Sequence, residues 1–157
     1  MLTTRMPKTN TTLIGIAGVH HIVSELSRRG MIALPTVKNT AAYDIVTLNQ
    51  EGTKHANIQV KASSKRVGFF PMPPPDRIRV GPNEFFVLAR WLESESKYQC
   101  YLLTGMQARK EVMRAIEAQR LNIAAGSRAK IFPCAHVNKV NTVKAQHWES
   151  AWNSWQL

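Results

Sequence analysis

Cysteine is nearly absent. Cys100 and Cys134 lie far apart with no C-x-x-C between them. A zinc site built on cysteine pairs is therefore excluded, and the two read as buried thiols rather than a disulfide framework. No run approaches the roughly 20 apolar residues that a membrane-spanning helix needs. The first twelve residues are polar, and Gly15, Gly18, His20 and His21 interrupt any apolar signal core. The expectation is a soluble, cytoplasmic protein. Acidic residues are also scarce: ten Asp and Glu against twenty-one Lys and Arg leave +11 over 157 residues. An excess of that size favours polyanionic partners, nucleic acid first and an anionic membrane surface second.

What is present reads as one α/β domain, residues 12–157, behind a flexible arm, residues 1–11. From Ile14 to Leu26 apolar residues recur at three- and four-residue steps, as in an amphipathic helix. Thr11 or Thr12 is suited to cap it and Gly30 to stop it. Three strand-like runs follow, Met31–Thr36, Ala42–Leu48 and Ala56–Ala62, the last two joined by the turn Asn49-Gln50-Glu51-Gly52. Five prolines between Val67 and Asn83 argue for a long loop. Strands are expected at Glu84–Trp91, Tyr98–Leu103 and Ala129–Cys134, and helices at Thr104–Leu121 and Thr142–Trp155. Trp148, Trp152 and Trp155 step by four and three, a stripe that suits packing more than base stacking.

One constellation carries chemistry. Asp44 is the charged residue of Tyr43-Asp44-Ile45-Val46, and Gln59-Val60-Lys61 begins fifteen residues later. Two apart on a strand, Gln59 and Lys61 leave the same face, and a hairpin brings that face beside Asp44. A carboxylate and an amide oxygen are hard ligands suited to Mg²⁺, and an ammonium beside them can orient a water or steady a phosphate. Taken singly, Asp44 also reads as a turn-capping carboxylate and Lys61 as the solvated face of an edge strand.

Residues 15–66 resemble the PD-(D/E)xK nuclease superfamily, in particular the group related to restriction endonucleases and Holliday-junction resolvases. The resemblance rests on Gly18-Val19-His20-His21-Ile22-Val23-Ser24-Glu25-Leu26 with Arg28-Arg29-Gly30, then Pro35-Thr36, Asp44-Ile45-Val46 and Ile58-Gln59-Val60-Lys61. It implies a restriction-endonuclease-like core, a central mixed β-sheet flanked by helices, and Mg²⁺-dependent (or Mn²⁺-dependent) hydrolysis of DNA phosphodiester bonds. Asp44, Gln59 and Lys61 would be the catalytic set, with Asp44 and Gln59 on the metal. Gln59 replaces the motif's second acid, and Val19 stands where the family often carries a glutamate. His20 or His21 is an auxiliary candidate, as base or weak ligand. Arg28, Arg29, Lys65, Arg66, Arg77 and Arg79 are candidate phosphate contacts. A homodimer is a further implication of the resemblance. The alternatives are a catalytically inactive nuclease-fold DNA-binding or scaffold protein, and a partner-binding protein that uses the proline loop and the tryptophan stripe.

Overall fold

The computed structural model describes residues 10–37, 43–64 and 68–137, and the backbone of 146–147. Helix α1 (Thr11–Arg28) is capped by Asn10, whose side chain accepts from the Thr12 N–H at 2.9 Å, so the cap lies one residue before the expected threonines. Gly30, at φ +84°, ends it as expected: the Met31 N–H reaches back to the Leu26 carbonyl at 3.2 Å. Thr11 is thus helical, and residues 1–9 of the expected arm lie outside the described residues.

Strands β1 (Ile32–Pro35), β2 (Ile45–Leu48) and β3 (His55–Ser63) form an antiparallel meander. Gly52, at φ +67°, makes the turn between the last two, and the Asn49 side chain accepts from the Lys54 N–H. After β4 (Phe69–Pro71) and a 3₁₀ turn at Pro75–Arg77, strand β5 (Glu84–Leu92) pairs parallel with β3. Strand β6 (Lys97–Thr104) returns antiparallel and leads into α2 (Gly105–Ala124). Thr104 and Gln107 form a reciprocal capping box there, which fixes where α2 begins. With β7 (Cys134–His136) and β8 (Gln146–His147), the central sheet runs β1-β2-β3-β5-β6-β8 and a two-stranded ribbon pairs β4 with β7. The architecture is α/β, a mixed central sheet with helices on both faces.

Two cores result. Ile22 and Leu26 of α1 pack with Ile45, Ile58, Val60, Val87 and Cys100 on one face. On the other, Ala108 and Val112 of α2 pack with Phe70, Ile78, Phe86, Leu88 and Leu103. Each fully buried aliphatic side chain contributes roughly 1.5–3 kcal/mol. Gly18 sets the spacing of the first layer: a Cβ there would lie 2.5 Å from the Ala62 Cβ. Val19 is partly buried against the α1 core, so the position where the resembled family often has a carboxylate faces apolar side chains.

Three expectations are corrected. The proline-rich stretch contains β4, because Phe70 gains a fully buried place by pairing with β7 while Pro73–Pro75 lie beyond it. The strand expected at Ala129–Cys134 shifts to Cys134–His136. The Phe132 N–H and carbonyl are taken by the Gln119 side chain, at 2.9 and 3.0 Å, in place of a strand partner. Within the expected tail helix, Gln146–His147 is a strand on Leu102–Tyr101, long-range pairing having overridden local periodicity. The rest of that segment, with Trp148, Trp152 and Trp155, lies outside the described residues.

Candidate active site

The β2–β3 ladder changes character at Asp44. The last regular pair is Ile45 with Ile58. One step on, the Asp44 N–H donates to the Ile58 carbonyl at 2.9 Å, and its carboxylate Oδ2 accepts from the Val60 N–H at 2.7 Å. A side chain thus does the work of a strand carbonyl where the two strands part. This holds the carboxylate at the level of Val60, the residue flanked by Gln59 and Lys61. Asp44 thus acts as a strand-end carboxylate that accepts a backbone N–H from the neighbouring strand rather than from a turn of its own. One carboxylate oxygen is engaged by a backbone donor, and among the described residues the other takes no hydrogen bond.

Gln59 and Lys61 leave β3 on the face that α2 covers, beside Phe86 and Leu88 of β5. Burial holds the Lys61 ammonium below the usual lysine pKa, and the Asp44 carboxylate opposes that shift. The two groups therefore sense one another, and Lys61 is not a fully solvated strand face. The folded state releases this proton at lower pH than the unfolded chain. Between the depressed pKa and the ordinary value the unfolded chain binds more protons, so this lysine makes stability rise with pH. Denaturant melts from about pH 8 to about pH 10.5, spanning the ordinary lysine value, are expected to show wild type gaining stability relative to Lys61→Met. A flat difference across that range would count against a buried ammonium.

Gln59 also opens on a cavity of about 210 Å³ with Tyr43, Pro73, Arg77, Arg79, Glu84 and Phe86 in its walls. The loop between β4 and β5 thus returns Arg77 and Arg79 to the candidate site. Glu84 starts β5 opposite Asn57 and accepts from both the Asn57 amide and the Tyr43 hydroxyl, each at 3.1 Å. The Arg79 guanidinium donates to the Tyr43 hydroxyl and stands over its ring, 5.0 Å from the centroid. Tyr43 and Glu84 are the residues the sequence reading missed. Tyr43 had a signal, as the aromatic neighbour of the motif aspartate. Glu84 had none, because its place depends on the parallel pairing of β3 with β5.

The other candidates lie elsewhere. His20 is exposed on α1, and His21 stacks on Tyr98 with centroids 4.5 Å apart, so neither is brought to Asp44. His21 borders a separate cleft of about 600 Å³ between α1 and the β5–β6 hairpin, on the opposite sheet face. Its burial lowers its pKa, against the nearby Glu25 carboxylate. Arg29 pairs with Glu25 at 2.5 Å and Arg28 at 3.4 Å, which keeps both on the α1 side. Lys65 and Arg66 lie outside the described residues.

Asp44 and Gln59, on either side of the β2–β3 junction, both carry oxygen donors. Mg²⁺ accepts such donors, since it commonly takes one or two carboxylates and completes its shell with water and substrate phosphate. Among the described residues no group of three or more His, Cys, Asp and Glu is placed to hold a metal ion. No helix of the described residues is long and apolar enough to cross a membrane. The sequence matches no protein-family model and no curated protein. Among solved structures, the backbone is similar to that of a bacterial homing endonuclease, I-Ssp6803I, with a TM-score of 0.49 and 15% identity over 94% of this chain and 91% of that one.

Proposed function

We propose that this protein is a metal-dependent DNA endonuclease that hydrolyses phosphodiester bonds at Asp44, Gln59 and Lys61. The observation that carries the reading is the Asp44 carboxylate bound to the Val60 N–H, between a glutamine amide and a half-buried lysine. A Mg²⁺ or Mn²⁺ ion held by Asp44 and Gln59 would supply Lewis-acid polarisation of the phosphate and a bound water of lowered pKa. Asp44, fixed by its backbone donor, presents its second oxygen without reorganising. The Lys61 ammonium, poorly solvated, donates to the attacking water or to charge building on the phosphoryl oxygens, where a low-dielectric setting strengthens it. Arg77 and Arg79 bind neighbouring phosphates of the strand and set its register.

The test is cleavage of linear duplex, single-stranded and branched DNA in Mg²⁺, in Mn²⁺ and in chelator. Cutting in metal and none in chelator is the expected result. Absence of cutting on every substrate would overturn the enzymatic reading. A second reading, a nuclease-fold protein that binds DNA without cutting it, is favoured by Val19 facing the core and by the single carboxylate at the motif. It requires salt-sensitive binding that is equal in metal and in chelator.

A further inference from the structure

Tyr43 bonds to two other residues of the cavity wall. Its hydroxyl donates to Glu84 Oε1 at 3.1 Å and accepts from Arg79, whose guanidinium also covers its ring. Its main chain is fixed too: the Thr36 hydroxyl donates to the Tyr43 carbonyl at 2.5 Å, and the next residue is Asp44. The segment carrying Arg79 is anchored independently. Arg109 of α2 donates to the Ile78 carbonyl at 2.5 Å, and the Arg79 carbonyl lies directly against Gly105 at the start of α2. Arg79 is thus held at its backbone by α2 and at its guanidinium by the residue that precedes the candidate metal ligand. A guanidinium has five N–H donors in a planar fork, and the bond to Tyr43 uses one. The remaining edge suits a phosphate bidentately.

We propose that Tyr43 is a positioning residue that holds Arg79 against one phosphate of the bound strand, in fixed relation to the phosphodiester at Asp44 and Lys61. The inference rests on the nucleic-acid reading above and adds the device by which the arginine is aimed. Glu84 completes it as the acceptor that orients the Tyr43 hydroxyl, leaving the oxygen lone pairs to the guanidinium. With both arginines in its walls, the cavity selects an anion despite this one carboxylate.

The test reads the salt dependence of binding to a fluorescent DNA duplex in chelator, so that cleavage plays no part. The proteins are wild type, Tyr43→Phe, Arg79→Ala and the double variant. Tyr43→Phe keeps the ring and removes only the hydroxyl, and a thermal melt checks that it folds. Loss of one phosphate contact lowers the slope of log K against log salt by about 0.9. That decrease is expected in Tyr43→Phe and in Arg79→Ala, with no further decrease in the double variant. A purely structural tyrosine would leave the slope of Tyr43→Phe at wild type while Arg79→Ala lowers it, which would overturn the proposal. Wild-type slopes in both single variants would overturn it as well, by removing Arg79 from the phosphate. A wild-type protein whose binding ignores salt would instead bring down the nucleic-acid reading itself.

Discussion

Lys61→Ala is expected to lose metal-dependent cleavage by at least about 10²-fold, the cost of removing one preorganised donor from a reacting oxygen. Its stability should stay within about 1 kcal/mol of wild type, the size of an ordinary substitution. The packing of the lysine stem is lost, but so is the cost of a half-buried ammonium. Asp44 needs a different variant. Asp44→Ala would strip the Val60 N–H of its acceptor and cost about 1–3 kcal/mol, confusing chemistry with folding. Asp44→Asn retains an oxygen for that donor and removes the charge that a metal requires. It should melt near wild type and fail to cut. Single-turnover cleavage beside denaturant melts reads both, and wild-type rates in Asp44→Asn and Lys61→Ala would end the enzymatic assignment.

Gly105→Ala should produce the largest structural effect. A Cβ at this position would stand 1.9 Å from the Arg79 carbonyl oxygen, 3.0 Å from its carbon and 3.2 Å from the Val80 Cα. All three atoms are main chain, so no rotamer relieves the clash, and either the loop or the first turn of α2 has to move. Overpacking of this kind costs about 1–3 kcal/mol. That exceeds the gain of up to about 1 kcal/mol that alanine brings over glycine inside a helix. The control is Gly15→Ala in α1, whose added Cβ meets nothing within 4 Å and which should melt higher than wild type. Because the displaced segment carries Arg79, Gly105→Ala should also bind DNA with a shallower salt slope. A Gly105→Ala protein as stable as wild type would mean that this close approach is not maintained in solution.

The difference between these two sites shows what the sequence makes readable. Gln59 and Lys61 on β3 and Asp44 just before β2 are brought together by one hairpin, and Gly52 at positive φ is a local signal for its turn. Alternation along β3 then assigns Gln59 and Lys61 to one face without any knowledge of the rest. Arg77 and Arg79 were legible as charge but not as place, since proline-rich chain hides where it returns. Glu84 was invisible for a stronger reason: its neighbours Asn57 and Tyr43 are brought to it by a parallel pairing that no local pattern announces. The same holds for β7 and β8, whose pairing partners lie far off in sequence. His20 and His21 were offered to the site by proximity in the motif, and helix geometry sends them to the other side of the sheet.

The two cores lie on opposite faces of one sheet, and they differ in how far along the chain their members must travel. Much of the first comes from α1 and the β1–β2–β3 meander, elements consecutive along the chain. The second contains a local unit of its own, β5–β6–α2, but that unit reaches the meander only through the crossover that sets β5 beside β3. Loops that must close over longer separations form later, because their entropy is lost before any contact compensates. The Asp44–Val60 contact, 16 residues apart, is therefore expected to form before those of Tyr43 with Arg79 and Glu84, 36 and 41 residues apart. In pulse-labelled hydrogen exchange the Val60 amide, bonded to Asp44, should gain protection before the Asn57 amide, bonded to the Asn83 carbonyl across the crossover, and simultaneous protection would show a single concerted step. The motif on this view is assembled first as a bare hairpin, and the arginine proposed to meet a phosphate is aimed at it only afterwards.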